Sequence, residues 1–239
     1  MTMAETPEAY FDVKDPIRLG IELSDTGPNA LDPLFAILAD PDAGPAKKRL
    51  VVVTVEQIMK RDMVPKLLPL VADTYDGTTR ACAVHLLANA GDAELEPTFV
   101  ELRSDSDPRV KLAALRGLAA LGSEEGRTAL TEIYNDAEAP PAHRELAVID
   151  LAAHFAPESM DLMRDVLRKG ELTEATQRSA AEAIGRHGVP EDIPLMREVE
   201  ARATVRSDLL LWTLFAIKNL EELSTADTPD DAVASEAAE

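Results

Sequence analysis

The sequence predicts an all-α fold, an α-solenoid of about six antiparallel helix pairs forming a curved superhelix, and three observations carry that prediction. The first is self-similarity. The stretch DPRVKLAALRGLAALG, Asp107 to Gly122, slid back 31 positions, lands on DGTTRACAVHLLANAG, Asp76 to Gly91, with an Asp, a basic residue, small residues and the closing Gly in register. A fixed period of this length marks a repeat architecture. The second is periodicity: Val110, Ala113, Ala114, Gly117, Leu118 and Leu121 fall at i, i+3, i+4, i+7, i+8 and i+11, one face of a helix. The third is that β-branched alternation is almost absent. Its nearest case, Val51 to Val55, lies inside a unit of helical period and reads as a buried helix.

Taken in order, residues 1–28 carry a short apolar set, Ile17, Leu19, Ile21 and Leu23, expected to form an N-terminal arm that caps the first repeat. From 29 to 223 two kinds of helix alternate. First helices are expected at 29–44, 62–75, 93–104, 123–138, 157–169 and 190–204, and second helices at 45–61, 77–91, 108–122, 140–155, 173–188 and 205–220. Pro45, Pro108, Pro140, Pro141 and Pro190 suit first helical turns, whereas Gly77 marks a break between helices. A two-helix unit cannot bury its apolar face alone, so the pairs should stack into one array without an internal boundary. Residues 224–239 contain five acids and no base, which predicts an acidic disordered tail.

Composition narrows the function. The 239 residues carry a formal charge of −20, and with the tail removed the remainder is still at −15, so the folded body is acidic. Such a body disfavours nucleic acid as a partner across the whole surface. Only 4% of residues are aromatic, so the core must be built from aliphatic and Ala side chains. One cysteine excludes an intramolecular disulfide and suits a reducing compartment. The N-terminal stretch MTMAETPEAYFDVKD lacks a basic region followed by an apolar one, and no membrane-length apolar run occurs, which predicts a cytoplasmic protein.

The pattern D-x-x-V-R/K-x-x-A with a closing L-G, as in Asp107 to Gly122, resembles the short HEAT-like repeats found in bilin lyases and many bacterial scaffolds. The resemblance covers about 29–223 and implies an architecture rather than an activity. The aromatic signature of tetratricopeptide repeats is missing. Routes to chemistry on a HEAT-like frame are not matched here. The deoxyhypusine hydroxylase group holds iron with adjacent His-Glu pairs, but His85, His143, His154 and His187 are followed by Leu, Arg, Phe and Gly. His154 and His187 lie 33 apart, at matching ends of consecutive second helices, with Glu158 and Glu191 nearby. They read as helix C-terminal cations rather than metal ligands. HEAT-like alkylpurine DNA glycosylases would need a Trp and a carboxylate in a cleft. Trp212 and Asp208 lie amid Leu209, Leu210, Leu214 and Ile217, which favours packing. Cys82 matches the small-residue position of Ala113 and reads as a core thiol. Asp40, Asp42, Asp105 and Asp107 read as turn and N-cap residues. No phosphate-binding, nucleophile-elbow or paired-cysteine motif occurs, so no catalytic residue, metal or cofactor is expected.

Charge divides by helix type. The first helices sum to −12 and the second to +8, all of the latter from the first three. In HEAT-like solenoids second helices line the concave surface, so the resemblance implies a basic stripe inside an acidic body, which would focus an anionic ligand. A basic residue recurs near the start of second helices at Arg49, Arg80, Lys111, Arg144 and Arg178. These side chains could also bridge turn acids and helix-end carbonyls. Arg116, with His85 one repeat earlier, lies outside that ladder. The expected partner-binding set is therefore Lys48, Arg49, Arg80, His85, Lys111, Arg116 and Arg144. The expected function is a noncatalytic scaffold or adaptor binding an acidic or extended protein segment along the concave face. The alternatives are a bilin-lyase-like enzyme or accessory subunit, and a nucleic-acid binder using the N-terminal basic stripe. At the C-terminal end, Leu211, Trp212 and Phe215 form part of an apolar set wrapping more than one face of the last helix, with no further repeat to cover it. That predicts self-association as a homodimer or partner docking there.

Overall fold

A computed structural model describes residues 31–226, so the expected arm and all but the first three residues of the expected tail lie outside the described part. Twelve α-helices and no strand occur among the described residues. They are α1 Asp32–Ala39, α2 Pro45–Val55, α3 Val64–Leu67, α4 Gly77–Asn89, α5 Glu96–Leu102, α6 Pro108–Ala120, α7 Glu124–Asn135, α8 Pro141–His154, α9 Met160–Lys169, α10 Glu174–His187, α11 Ile193–Arg202 and α12 Asp208–Ala226. The even-numbered members are the second helices of the pairs. The chain divides into two compact units, Met1–Ala129 and Leu130–Glu239, with the division inside α7.

Three boundaries differ from the sequence expectation, each for a local reason. The expected helix at 62–75 is instead a 3-10 turn, the four-residue α3, and a second 3-10 turn at Leu68–Val71. Pro65 and Pro69 remove two backbone donors there, and a long α-helix cannot form around them. α2 gives way to a 3-10 turn at Glu56–Ile58, short of the expected 61. The last helix runs to Ala226, so residues 224–226, expected in the tail, are helical.

In the first unit α4 packs on both α2 and α6, and α5 lies on α6. Leu34, Leu38, Val51, Val55, Leu86, Leu87, Phe99, Val110 and Leu118 are buried there. In the second unit α10 packs on α8, α9 and α12, around Leu151, Met163, Ile184, Met196, Ala216 and Leu220. Small residues bring the helices close. At Gly117 a Cβ would lie 2.9 Å from the Phe99 ring, and at Gly126 it would lie 2.5 Å from the Ala119 backbone nitrogen. Turn acids cap two of the second helices, α4 and α6. Asp76 accepts from the backbone of Thr78 and Thr79, and Asp107 from that of Arg109. After α6, Gly122 at φ +77° takes the left-handed conformation that ends the helix. Cys82 is buried in α4, and burial pushes its thiol pKa up, as expected of a core thiol.

Candidate functional site

The basic ladder has a register that the sequence spacing obscured. Counting from the first residues of α2, α4, α6, α8 and α10, the fourth positions are Lys48, Arg80, Lys111, Arg144 and Gln177. Four of these five turn into the structure. Lys48, 1% exposed, donates from Nζ to Asp76 Oδ2 at 2.8 Å and to the Thr79 hydroxyl at 2.5 Å. Burial alone would raise the pKa of Asp76, but the hydrogen bonds from Lys48 and Thr79 outweigh it and hold the carboxyl well below its ordinary range. Arg80 donates from Nε to the Val71 carbonyl at 3.0 Å and pairs with Asp105, itself buried, and with Asp73. Arg144 donates to the Tyr134 carbonyl at 3.0 Å and lies over that ring. Gln177, although neutral, repeats the role by donating to the Leu172 carbonyl at 2.7 Å.

The expectation that Lys48, Arg80 and Arg144 lie ready for a partner is therefore corrected: each satisfies a turn acid or a carbonyl near the end of the preceding helix. Lys111 is the fourth-position residue that stays exposed. Near the end of the helix before it, Arg103 already donates to the Val100 carbonyl at 2.7 Å. Arg49 and Arg178 are fifth-position residues, one step around the helix, so Arg49 is exposed and Arg178 half-buried.

His85 and Arg116, expected at equivalent positions, do meet. Arg116 Nη1 lies 3.3 Å from His85 Nδ1, and His85 Nε2 lies 3.1 Å from Glu56 Oε2. A guanidinium can only donate, so in this geometry Nδ1 accepts and Nε2 donates to Glu56. The chain Glu56–His85–Arg116 crosses the second helices of the first unit.

In the second unit a cleft of about 540 Å³ opens between α8 and α10. Ile149, Ala152 and Ala153 give it an apolar side, and Arg178, Glu182 and Arg186 a charged one. His154 and His187, spaced 33 apart, both line it. Glu158 and Glu191 are not among its lining residues. Among the described residues no group of three His, Cys, Asp or Glu side chains is placed to hold a metal ion. Arg186 pairs with Glu182 at 2.6 Å and lies 5.7 Å from the centre of the Trp212 ring. Trp212 meets Phe215 edge to face at 5.3 Å. Leu211 is 64% and Phe215 40% exposed, as expected for the terminal helix. The sequence reading missed the cleft itself. Its signal was the 33-residue interval that relates Ile149 to Glu182 and Ala153 to Arg186 as well as the two histidines.

Residues 64–141, from α3 to the start of α8, match the family model for HEAT repeats. Over those residues the chain carries HEAT-like repeats. Among solved structures it aligns with human deoxyhypusine hydroxylase in complex with glycerol, at 17% identity, over 90% of this chain and 94% of that chain, with a TM-score of 0.38. No curated protein matches the sequence. No helix among the described residues is long and apolar enough to cross a membrane.

Proposed function

We propose that this helical-repeat protein is a noncatalytic scaffold that binds acidic, extended protein segments on the exposed face of its second helices. One observation carries the reading: although Arg109, Arg186 and Lys218 pair with nearby acids, three cations along the second helices have no internal partner among the described residues, against one on the first helices. On the first helices and their ends, Lys66, Arg103, Arg127, Arg164, Lys169 and Arg197 each form an ion pair with a carboxylate and Arg202 donates to the Leu167 carbonyl, Arg168 being the exception. On the second helices, Arg49, Lys111 and Arg178 have no hydrogen bond or ion pair among the described residues. Cations without internal partners in an acidic body attract acidic segments and steer their approach. The noncatalytic part rests on how the perturbed carboxylates are used. Asp76, Asp107, Asp165 and Asp192 are all held low by hydrogen bonds that tie helices or turns together.

The test is selection of displayed random peptides on the intact chain. Enriched peptides should carry an excess of Asp and Glu and bind more weakly as salt rises. Binding should fall about tenfold or more in the triple variant Arg49→Glu, Lys111→Glu, Arg178→Glu. Enrichment of neutral or basic peptides, or unchanged affinity in the triple variant, would overturn the proposal.

A further inference from the structure

We infer that the second unit holds the specificity-determining part of this surface: a docking site for a segment with a carboxylate and, about three residues away, a large apolar side chain. The inference rests on the scaffold reading above and names the chemistry of its partner. The carboxylate half is the cleft between α8 and α10, where Arg178, Arg186, His154 and His187 face a single acid, Glu182. Arg178 brings a charge with no ion pair among the described residues, and Arg186 shares its guanidinium between Glu182 and the Trp212 ring. A cavity of about 540 Å³ accommodates a side chain with its flanking backbone.

The apolar half adjoins it. Leu211 and Phe215 follow Arg178 and Glu182 by 33 residues, the interval that relates α8 to α10, and they lie on α12, which packs on α10. Phe215 is seated against α10, because a Cβ at Gly185 would lie 3.3 Å from its ring. Arg186, stacked on Trp212, joins the two halves. Packed helices are about 9 Å apart, and an extended chain advances about 3.3 Å per residue. A carboxylate over Arg178 therefore places a residue about three along over α12, where Leu211 and Phe215 lie one turn apart. Charge complementarity selects a peptide over a second copy of this chain, since two bodies at −20 repel each other.

The peptides selected on the intact chain supply the probe. They should pair an Asp or Glu with Phe, Leu, Ile or Trp three residues away, in either direction. Arg178→Glu and Phe215→Ser should each weaken them about tenfold, Arg178→Gln and the double variant Arg49→Glu, Lys111→Glu by less, and Arg168→Glu, on a first helix outside this surface, by under about twofold. Circular dichroism and Trp212 emission monitor folding in each. Acidic peptides lost in the Arg49, Lys111 variant but insensitive at Arg178 and Phe215 would overturn this site and leave the scaffold reading standing. No acidic enrichment would overturn both. A wild-type dimer at assay concentration that Phe215→Glu dissociates would assign the apolar half to a second copy and overturn the inference.

Discussion

Lys48 shows how burial, and not charge alone, decides the role of a basic residue. Its ammonium sits between Asp76 and Thr79 while the Thr79 hydroxyl reaches the Leu38 carbonyl, so one side chain links α1, α2 and α4. Lys48→Met removes the donor to the buried Thr79 hydroxyl and the half-exposed Asp76 carboxylate, and should cost about 2 kcal/mol in denaturant unfolding. Arg49→Met, one residue on and exposed, should change stability by less than about 0.5 kcal/mol. Equal effects would refute the register assigned to the ladder. Asp192 offers the matching test in the second unit. It takes two hydrogen bonds from Arg164, at 2.7 and 3.0 Å, and one from the Val189 backbone at 3.0 Å. Burial acts to raise its pKa, but these bonds outweigh it and hold the carboxyl low. A depressed folded-state pKa means the unfolded chain binds the proton first as pH falls. The contribution is therefore complete above the unfolded value of about 3.9 and is lost as pH drops through the folded one. Asp192→Asn should cost about 3 kcal/mol at neutral pH. It should also flatten the acid limb of a stability-against-pH curve; an unchanged limb would show that the Arg164 pair does not hold this carboxyl.

At the scale of elements, close helix approach sets the tolerance of interior glycines such as Gly126 and Gly185. On helix propensity alone, Ala at either would be favoured by about 1 kcal/mol. At Gly126, however, a Cβ would meet the α6 backbone at 2.5 and 2.9 Å, and backbone cannot swing aside. Gly126→Ala should destabilise by about 2 kcal/mol net. At Gly185 the nearest atoms, of Ala216 in α12, are 3.0 Å away, so gain and clash should nearly cancel. Thermal unfolding of the two variants checks the order, and a larger loss at Gly185 would contradict it. Helices were legible because the 3.6-residue apolar period and the turn prolines are local signals. Pro65 and Pro69 are local signals too, and they break the helix expected at 62–75. The site was less legible. A helix turns about 100° per residue, so placing the ladder at Arg49 and Arg178 instead of Lys48 and Gln177 exchanges an inward side chain for an outward one. Spacing among basic residues cannot see Gln177 at all, since the role it shares with Arg80 and Arg144 is hydrogen bonding to carbonyls and needs no charge.

For the molecule as a whole, two electrostatic effects oppose each other, and salt separates them. With a net charge of −20, acids without a cationic partner repel one another over distances of many ångströms. That repulsion destabilises the folded state. The ion pairs act at close range: Lys48 to Asp76 at 2.8 Å and Arg164 to Asp192 at 2.7 Å each bury at least one partner. The Debye length is about 10 Å at 0.1 M salt and about 3 Å at 1 M. Added salt therefore screens the long-range repulsion, while pairs under 3 Å and partly shielded from water keep most of their attraction. Exposed pairs such as Lys218 to Glu222 at 3.7 Å contribute little to begin with. The repulsive term should dominate the response, so the melting temperature at pH 7 should rise between low and high sodium chloride. Lowering the pH toward 5 at low salt should move it less, since the ordinary carboxylates remain ionised above about pH 4.5. Below that, protonation relieves repulsion but also breaks the pairs at Asp76 and Asp192, whose folded-state contribution disappears as pH falls through their depressed values. The salt effect should therefore shrink in acid as net charge falls. Differential scanning calorimetry across a salt series at neutral and acid pH measures both. A melting temperature that falls with salt at pH 7 would mean that the short-range pairs, and not the net charge, govern the stability of the fold.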